Sequence, residues 1–545
     1  MNSELIISGQ IVDIVRGRIF PGTLHIENGR IIDIIEEPTD NTQVIMPGFV
    51  DSHIHIESSM LVPSEFARIA VCHGTVATVS DPHEIANVLG IEGVDFMVSN
   101  GNKVPFKFFF GAPSCVPATT FETSGHNITA NDISALMSRD EIKYMGEMMN
   151  FPGVINHDKE VISKLQAAKD AGKPIDGHIP GVTGEHLTTY VNEGISTDHE
   201  CFSIQEALEK IRLGMKILIR EGSAARNFDD LVELVNTNPD VVMFCSDDKH
   251  PDDLLRGHIN TLAKRAIAKG CNIMNVLKAC SLNAIRHYNL EVGLLQKGDD
   301  ADFVITDGIE TLNIKKTYIK GVLMAENGKP TFDAPQSDTP NNFKASHIAI
   351  EDLRLVACGK NIKVIEVVEG ELITKKHITP ARIEGGNIIS DTTNDILKMA
   401  ALNRYDKDAK PAIGFIKNIG LKYGAIASSI AHDSHNIVAV GVTDEDLTRA
   451  INLIIDNKGG VVAYNKEEQV VLPMPVAGLM STEKGEIVAK EYEKADALAK
   501  KMGATLHAPF MTLSFMSLLV IPSLKLSDKG LFDGENFCFT SVFEE

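Results

Sequence analysis

Apolar positions change their spacing along the chain. Over residues 1–46 they fall in short runs, LIISGQIVDI, GTLHIENGRIIDII and TQVIM, separated by glycine-containing turns, which predicts β-strands. From 47 to 290, short apolar segments alternate with stretches of helical spacing, the pattern of βα units around a parallel sheet. The apolar segments predict eight strands, at 48–56, 74–82, 106–113, 142–150, 174–180, 194–200, 215–223 and 241–248. VGLLQKGDDADFVITDG (292–308) then returns to a strand-rich pattern, so 1–46 and 291–332 are expected to join as one β-sandwich domain. The polar, proline-containing DAPQSDTPNNFKAS (333–346) reads as a linker, and 347–545 as a further α/β domain.

Eight parallel strands imply an α/β protein built on a (β/α)8 TIM-like barrel, whose chemistry sits at the strands' C-terminal ends. Metal-ligand residue types gather there: His53 and His55, Asp81, His83 and Glu84, Glu147, His178, His199 and Glu200, Asp247 and Asp248. Side chains two apart on a strand face the same way, so His53 and His55 share one side while Ile54 and Ile56 pack on the other. Spacing alone decides little, because 18 histidines in 545 residues give about 0.6 His-x-His pairs by chance. Glu57 shares the parity but lies past the expected strand end, and is read as a loop or supporting carboxylate.

Composition narrows the class. A formal net charge of −22 argues against nucleic acid as a partner, which needs a basic face. Eight cysteines without a Cys-x-x-Cys pair indicate neither a disulfide framework nor a zinc ribbon. The N-terminus has no secretory pattern, and no apolar run approaches the roughly 20 residues of a membrane span. A soluble, cytoplasmic protein is expected, with a symmetric homodimer as the default assembly.

Each candidate has a plainer alternative. Glu147 ends the fourth strand among apolar neighbours, where an unpaired carboxylate is costly. A carboxylate between two cations offsets their repulsion, whereas the alternatives are a solvated loop group or a lysine partner. Lys143 shares its parity and is the rival for a bridging position if carbamylated; Glu147 is preferred because it lies nearer the strand end. His178 and His199 bring the imidazoles to four, enough for one or two Zn, Mn or Fe ions. Asp247 can hold a metal and accept a proton, or else cap the helix before HPDDLLRGHINTL, a role that suits Asp248 better. Asp81, His83 and Glu84 could bind substrate or an additional metal, or simply open the helix EIANVLG. His432, Asp433, Ser434 and His435 in ASSIAHDSHNIVAVG read first as a hairpin-like surface turn, and otherwise as a loop closing over the barrel mouth.

Together PGFVDSHIHIES, GEMMNFPG, DGHIPG, STDHE and SDD resemble the amidohydrolase superfamily, and GLLQKGDDADFVI looks like its return into the β-sandwich. SDPHEIANVLG, GAPSCVPAT, STDHE, ASSIAHDSHNIVAVG and PFMTLSFMSLLVIPSLKLSDKGLFD are similar to the bacterial-type adenine deaminase family, and the likeness runs over essentially the whole chain. The His-Ala-x-Glu element of adenosine deaminases is not seen. The resemblance implies a binuclear centre with His53, His55 and Asp247 on one metal, His178 and His199 on the other, and Glu147 bridging. It implies two divalent ions, Mn or Fe first and Zn possible, and hydrolysis of adenine, a small purine base, to hypoxanthine and ammonia. Asp247 is then expected as the base at purine carbon 6, and Glu200 or Glu84 as the acid at the adjacent ring nitrogen. The rival readings are a cyclic amidohydrolase opening a hydantoin- or dihydropyrimidine-like ring and, more remotely, a non-enzymatic scaffold.

Overall fold

In the computed structural model, which describes residues 4–544, the N-terminal runs form β1 (Glu4–Asp13), β2 (Arg18–Glu27) and β3 (Arg30–Glu36) as an antiparallel meander. The β2–β3 turn is Asn28-Gly29, both at positive φ (50° and 80°), the pairing that a tight hairpin requires. A short strand, β4 (Val44–Pro47), runs parallel to β1 and leads into the barrel.

All eight strands expected for the barrel are present: β5 (Phe49–Ile54), β6 (Thr75–Ser80), β7 (Lys107–Ala112), β8 (Ile142–Met148), β9 (Ile175–Gly177), β10 (Thr197–Asp198), β11 (Lys216–Arg220) and β12 (Val242–Cys245). Strands β5 to β9 pair in parallel in chain order, as do β10 to β12. Ser196 N donates to Ile175 O (2.9 Å) across the first seam. At the second, Asp247 N donates to His53 O (3.0 Å) and His55 N to Asp247 O (3.3 Å), closing the ring. Most residues of these strands are buried, as parallel strands covered by helices must be.

Beyond the barrel, β13 (Phe303–Thr306), β14 (Ile314–Ile319), β15 (Val322–Glu326) and β16 (Lys329–Pro330) join the N-terminal strands in one eight-stranded sheet, with β13 antiparallel to β4. Residues 333–346 hold no helix or strand. The remainder builds a nine-stranded mixed sheet from Asn361–Val367 to Phe543–Glu544. Helix Asp444–Asp456 buries Leu447, Ala450, Ile451 and Ile454 against it, and Thr443 Oγ1 caps the helix by accepting Asp446 N (3.1 Å). Helix Gly485–Lys501 packs on both Gly460–Tyr464 and the barrel-side helix Pro251–Arg256. Ser481 N donates to Met60 O (2.8 Å), fastening this region to the first loop of the barrel. Among the described residues no helix is long and apolar enough to cross a membrane.

Candidate metal centre

His53, His55, Glu147, His178, His199 and Asp247 converge at the C-terminal ends of their strands, none more than 4% exposed. Asp247 adopts φ +54°, a left-handed conformation that aspartate tolerates better than most residues. Its backbone stays paired with β5 while Oδ1 reaches to 3.6 Å from His53 Nε2 and 3.3 Å from His55 Nε2. Glu147 faces two imidazole sets at once. Its Oε1 lies 3.2 Å from His55 Nε2, and its Oε2 lies 2.7 Å from His178 Nδ1 and 3.2 Å from His199 Nε2.

Asp81 positions this carboxylate. Its Oδ2 accepts Glu147 N (2.8 Å), its Oδ1 accepts His83 N (3.2 Å), and its carbonyl accepts His55 Nδ1 (3.1 Å), which turns His55 Nε2 inward. Gly146 makes room for the contact, since a Cβ there would lie 2.3 Å from Asp81 Oδ2.

The donor set fits divalent cations. Both ring nitrogens of His53, Nε2 of His178 and Nδ1 of His83 are buried without a hydrogen-bond partner, an expensive condition unless something else takes the lone pairs. The triads His53/His55/Asp247, His53/Glu147/His199 and His178/His199/Glu200 each bring their ligand atoms within 4.8 Å of one another. Burial and His199 push His53 down, favouring the neutral imidazole that binds metals. Burial pushes the Glu147 carboxyl up, but His178 and His199 outweigh it and hold it well below the usual range. For Asp247 the same burial is outweighed by Arg220 and His199.

Arg220 was not singled out from the sequence. It ends β11, is 1% exposed, and donates from Nη1 to Asp247 Oδ2 (2.7 Å) and from Nη2 to Glu200 Oε2 (2.8 Å), with Nη1 also on Glu200 Oε1. Burial raises the Glu200 carboxyl, yet Arg220 and then His178 bring it to about 2. The available signal was positional, for Arg220 ends its strand as the other polar groups end theirs.

Residues 432–435 do not form a surface turn. His432, Asp433, Ser434 and His435 are all at most 3% exposed, because the loop between strands Ala425–Ser428 and Ile437–Gly441 is carried over the barrel mouth. There His432 Nδ1 and His435 Nε2 each meet one oxygen of Glu84, and His83 Nε2 lies 3.4 Å from Glu84 Oε1 and 3.8 Å from Asp433 Oδ1. Burial lowers His432, but Glu84 and Asp248 lift it to about 9. The helix-cap reading of Asp247 and Asp248 also fails: helix Pro251–Arg256 has His250 at its N-cap, without a side-chain capping bond. Asp248 instead accepts Ser58 Oγ and lines the chamber. Lys143 stands partly exposed at the start of β8, away from the ligands. Glu57 lies in a short 3-10 turn, accepts Ile85 N (3.2 Å), and burial pushes its carboxyl up to about 7. Met149, Leu372, Phe515 and Leu518 give the chamber its apolar wall.

Residues 44–324 match the model of the amidohydrolase family, and residues 371–538 that of the adenine deaminase C-terminal domain. An adenine deaminase of Methanosarcina barkeri is 52% identical over 544 residues, covering 98% of both chains. That of Salinibacter ruber is 49% identical over 544 residues and covers all of both. The chain belongs to the adenine deaminase family of amidohydrolases. Membership of the amidohydrolases implies a divalent metal, and the histidine–carboxylate clusters could hold one. The adenine deaminase C-terminal match spans the loop that sets His432 and His435 on Glu84.

Proposed function

We propose that this protein is a metal-dependent hydrolase converting adenine to hypoxanthine and ammonia, a purine-salvage reaction. The observation that carries the reading is Glu147, whose two oxygens face separate imidazole sets at a barrel mouth, in a chain about half identical along its length to adenine deaminases. His53, His55 and Asp247 would hold one divalent ion, His178 and His199 a second, with Glu147 between them. Mn or Fe suits this nitrogen and oxygen set, and Zn is compatible with it. When bound, such a pair lowers the pKa of water and so supplies hydroxide near neutral pH.

The chain's own residues do the rest. Arg220 keeps Asp247 ionised and oriented through Oδ2, so that the carboxylate, by a remaining lone pair, can take the proton of the attacking water and return one to the departing amine. The ring nitrogen beside carbon 6 needs an acid. Both Glu200 oxygens are tied to a guanidinium, which does not release protons, and its imidazole neighbours His178 and His199 are proposed metal ligands, whereas Glu84 meets His432 and His435, imidazoles outside the proposed ligand set. We therefore assign the donor to Glu84 with His432, and give Glu200 the role of anchoring Arg220. Asp81 and His83 orient Glu147 and Glu84, while Asp433 and His435 belong to the closure over the substrate. Reading Asp81, His83 and Glu84 as a further metal site is the alternative, and a metal count separates the two.

We also take the chain as three domains (1–46 with 291–332, 47–290, and 347–545), supported by the separate sheets. A cytoplasmic homodimer is proposed as its working state, in keeping with the eight free cysteines. The test is metal analysis of the purified protein paired with an ultraviolet assay on adenine. Two metals per chain without conversion of adenine would remove the substrate and leave the metal reading. Ring opening of a hydantoin without ammonia release would favour the cyclic amidohydrolase.

A further inference from the structure

Three lysines are buried to 1% exposure or less, and two of them are neutralised. Lys210 meets Asp198 (2.9 Å) and Glu206 (2.7 Å), and Lys398 meets Asp444 (2.5 Å). The third, Lys525 in strand Leu524–Ser527, is fully buried and donates to two backbone carbonyls, Leu372 O (2.7 Å) and Phe515 O (3.0 Å). Burial alone lowers its ammonium, to about 7. A buried cation held by neutral acceptors is costly, and hydrophobic replacement of buried charges is often neutral or stabilising. Stability therefore gives no account of Lys525.

Its two acceptors do. Leu372 and Phe515 line the metal-ligand chamber and also the outer vestibule formed with Ser223, Arg226, Glu369 and His507. They are the side chains common to both spaces. Phe515 is stacked on His432 (ring centroids 4.4 Å apart, 10° between planes) and its carbonyl has a second donor in Leu518 N (3.2 Å). Among the described residues, Lys525 is the donor recorded for Leu372 O. Losing the ammonium would thus release the Leu372 turn and leave Phe515 in place.

We propose that Lys525 is a positioning residue that, through Leu372 and Phe515, sets the gap between vestibule and chamber and so the size of 6-aminopurine admitted. The proposal rests on the adenine reading above. Lys525→Met, with metal content checked, should raise KM for adenine about tenfold and leave kcat within about threefold. It should also narrow the preference for adenine over the bulkier N6-methyladenine. In a Leu372→Ala background the same substitution should change that preference no further, since the two residues act as one unit. Unchanged KM and preference, or fully additive effects, would overturn the proposal. Should Lys525→Met not fold, Lys525→Arg keeps the charge but alters the spacing to both carbonyls, and an unchanged preference there counts equally against it. A wild-type protein that does not convert adenine would instead reject the substrate reading. The gap is then read from the rate at which a chelator strips metal from the holoprotein, which Lys525→Met should accelerate and which an unaltered rate would refute.

Discussion

Replacing Arg220 by methionine removes the guanidinium shared by Asp247 and Glu200 without emptying the space it fills. Arg220 is 1% exposed and makes charge-assisted bonds of 2.7 and 2.8 Å to the two carboxylates. Deleting one partner of a buried ion pair leaves an uncompensated charge and costs about 3–5 kcal/mol. For a barrel of this size, at about 2–4 °C per kcal/mol, the metal-free protein should lose roughly 6–20 °C in melting midpoint. Divalent cations at His53, His55, His178 and His199 would supply positive charge beside the same carboxylates. The metal-loaded variant should therefore lose distinctly less, because carboxylates freed of Arg220 would hold the cations more tightly and tighter binding to the folded state adds stability. Scanning calorimetry of wild type and Arg220→Met, each with chelator and with added Mn, measures the four midpoints. Equal losses in both states would show that Arg220 acts through packing, and no loss in either would refute the charge argument.

Asp247→Asn should keep the fold and lose about 10²–10⁴ in kcat on adenine, and turnover close to wild type would rule out Asp247 as the base. Glu84→Gln should lower kcat strongly while Glu200→Gln mainly lowers the melting midpoint; the reverse pattern would exchange the two roles. The folded Lys525 binds its proton less tightly (about 7) than in the unfolded chain (10.5), so its contribution is least favourable below pH 7 and improves as pH rises towards 10.5. The slope is up to about 1.4 kcal/mol per pH unit, and the midpoint of wild type relative to Lys525→Met should climb between pH 7 and 9. A flat difference across that window would contradict it.

Most of the barrel strands were legible because they are apolar runs buried on both faces and bounded by glycine or polar residues, whereas β9 (Ile-Asp-Gly) and β10 (Thr-Asp) are short and polar and were placed by their spacing in the βα pattern. Their ends were overread. The pairing of β12 with β11 stops at Cys245, not 248, and beyond it Asp247, in a left-handed backbone, keeps only a single bridge to β5. The residues at the strand ends were legible for the same reason, since a parallel barrel delivers them to one mouth whatever their separation in sequence. Arg220 was missed because a lone basic residue closing the run MKILIR looks like a solvated end. The burial of His432 and His435 was hidden for a deeper reason. Whether a polar loop faces water or docks on Glu84, far away in the chain, is decided by tertiary placement and leaves no local periodicity. Leu372 and Phe515 were equally silent, being ordinary apolar residues whose use depends on what lies across the gap.

The closure of the barrel by the C-terminal region imposes an order on synthesis. The proposed metal ligands are all present once Asp247 has been made, but the wall from Leu372 and Phe515, and Lys525 behind it, come from the last third of the chain. At about 5–20 residues per second, the roughly 280 residues between Asp247 and Lys525 take about 15–55 s to make. During that interval a nascent barrel offers its imidazoles to whatever cation is abundant. On the metal reading proposed above, the cation in the finished protein would then reflect the cell's metal pool at the time of translation as well as ligand preference. Expression in media of different metal content, followed by exchange against a second metal, would separate the two contributions.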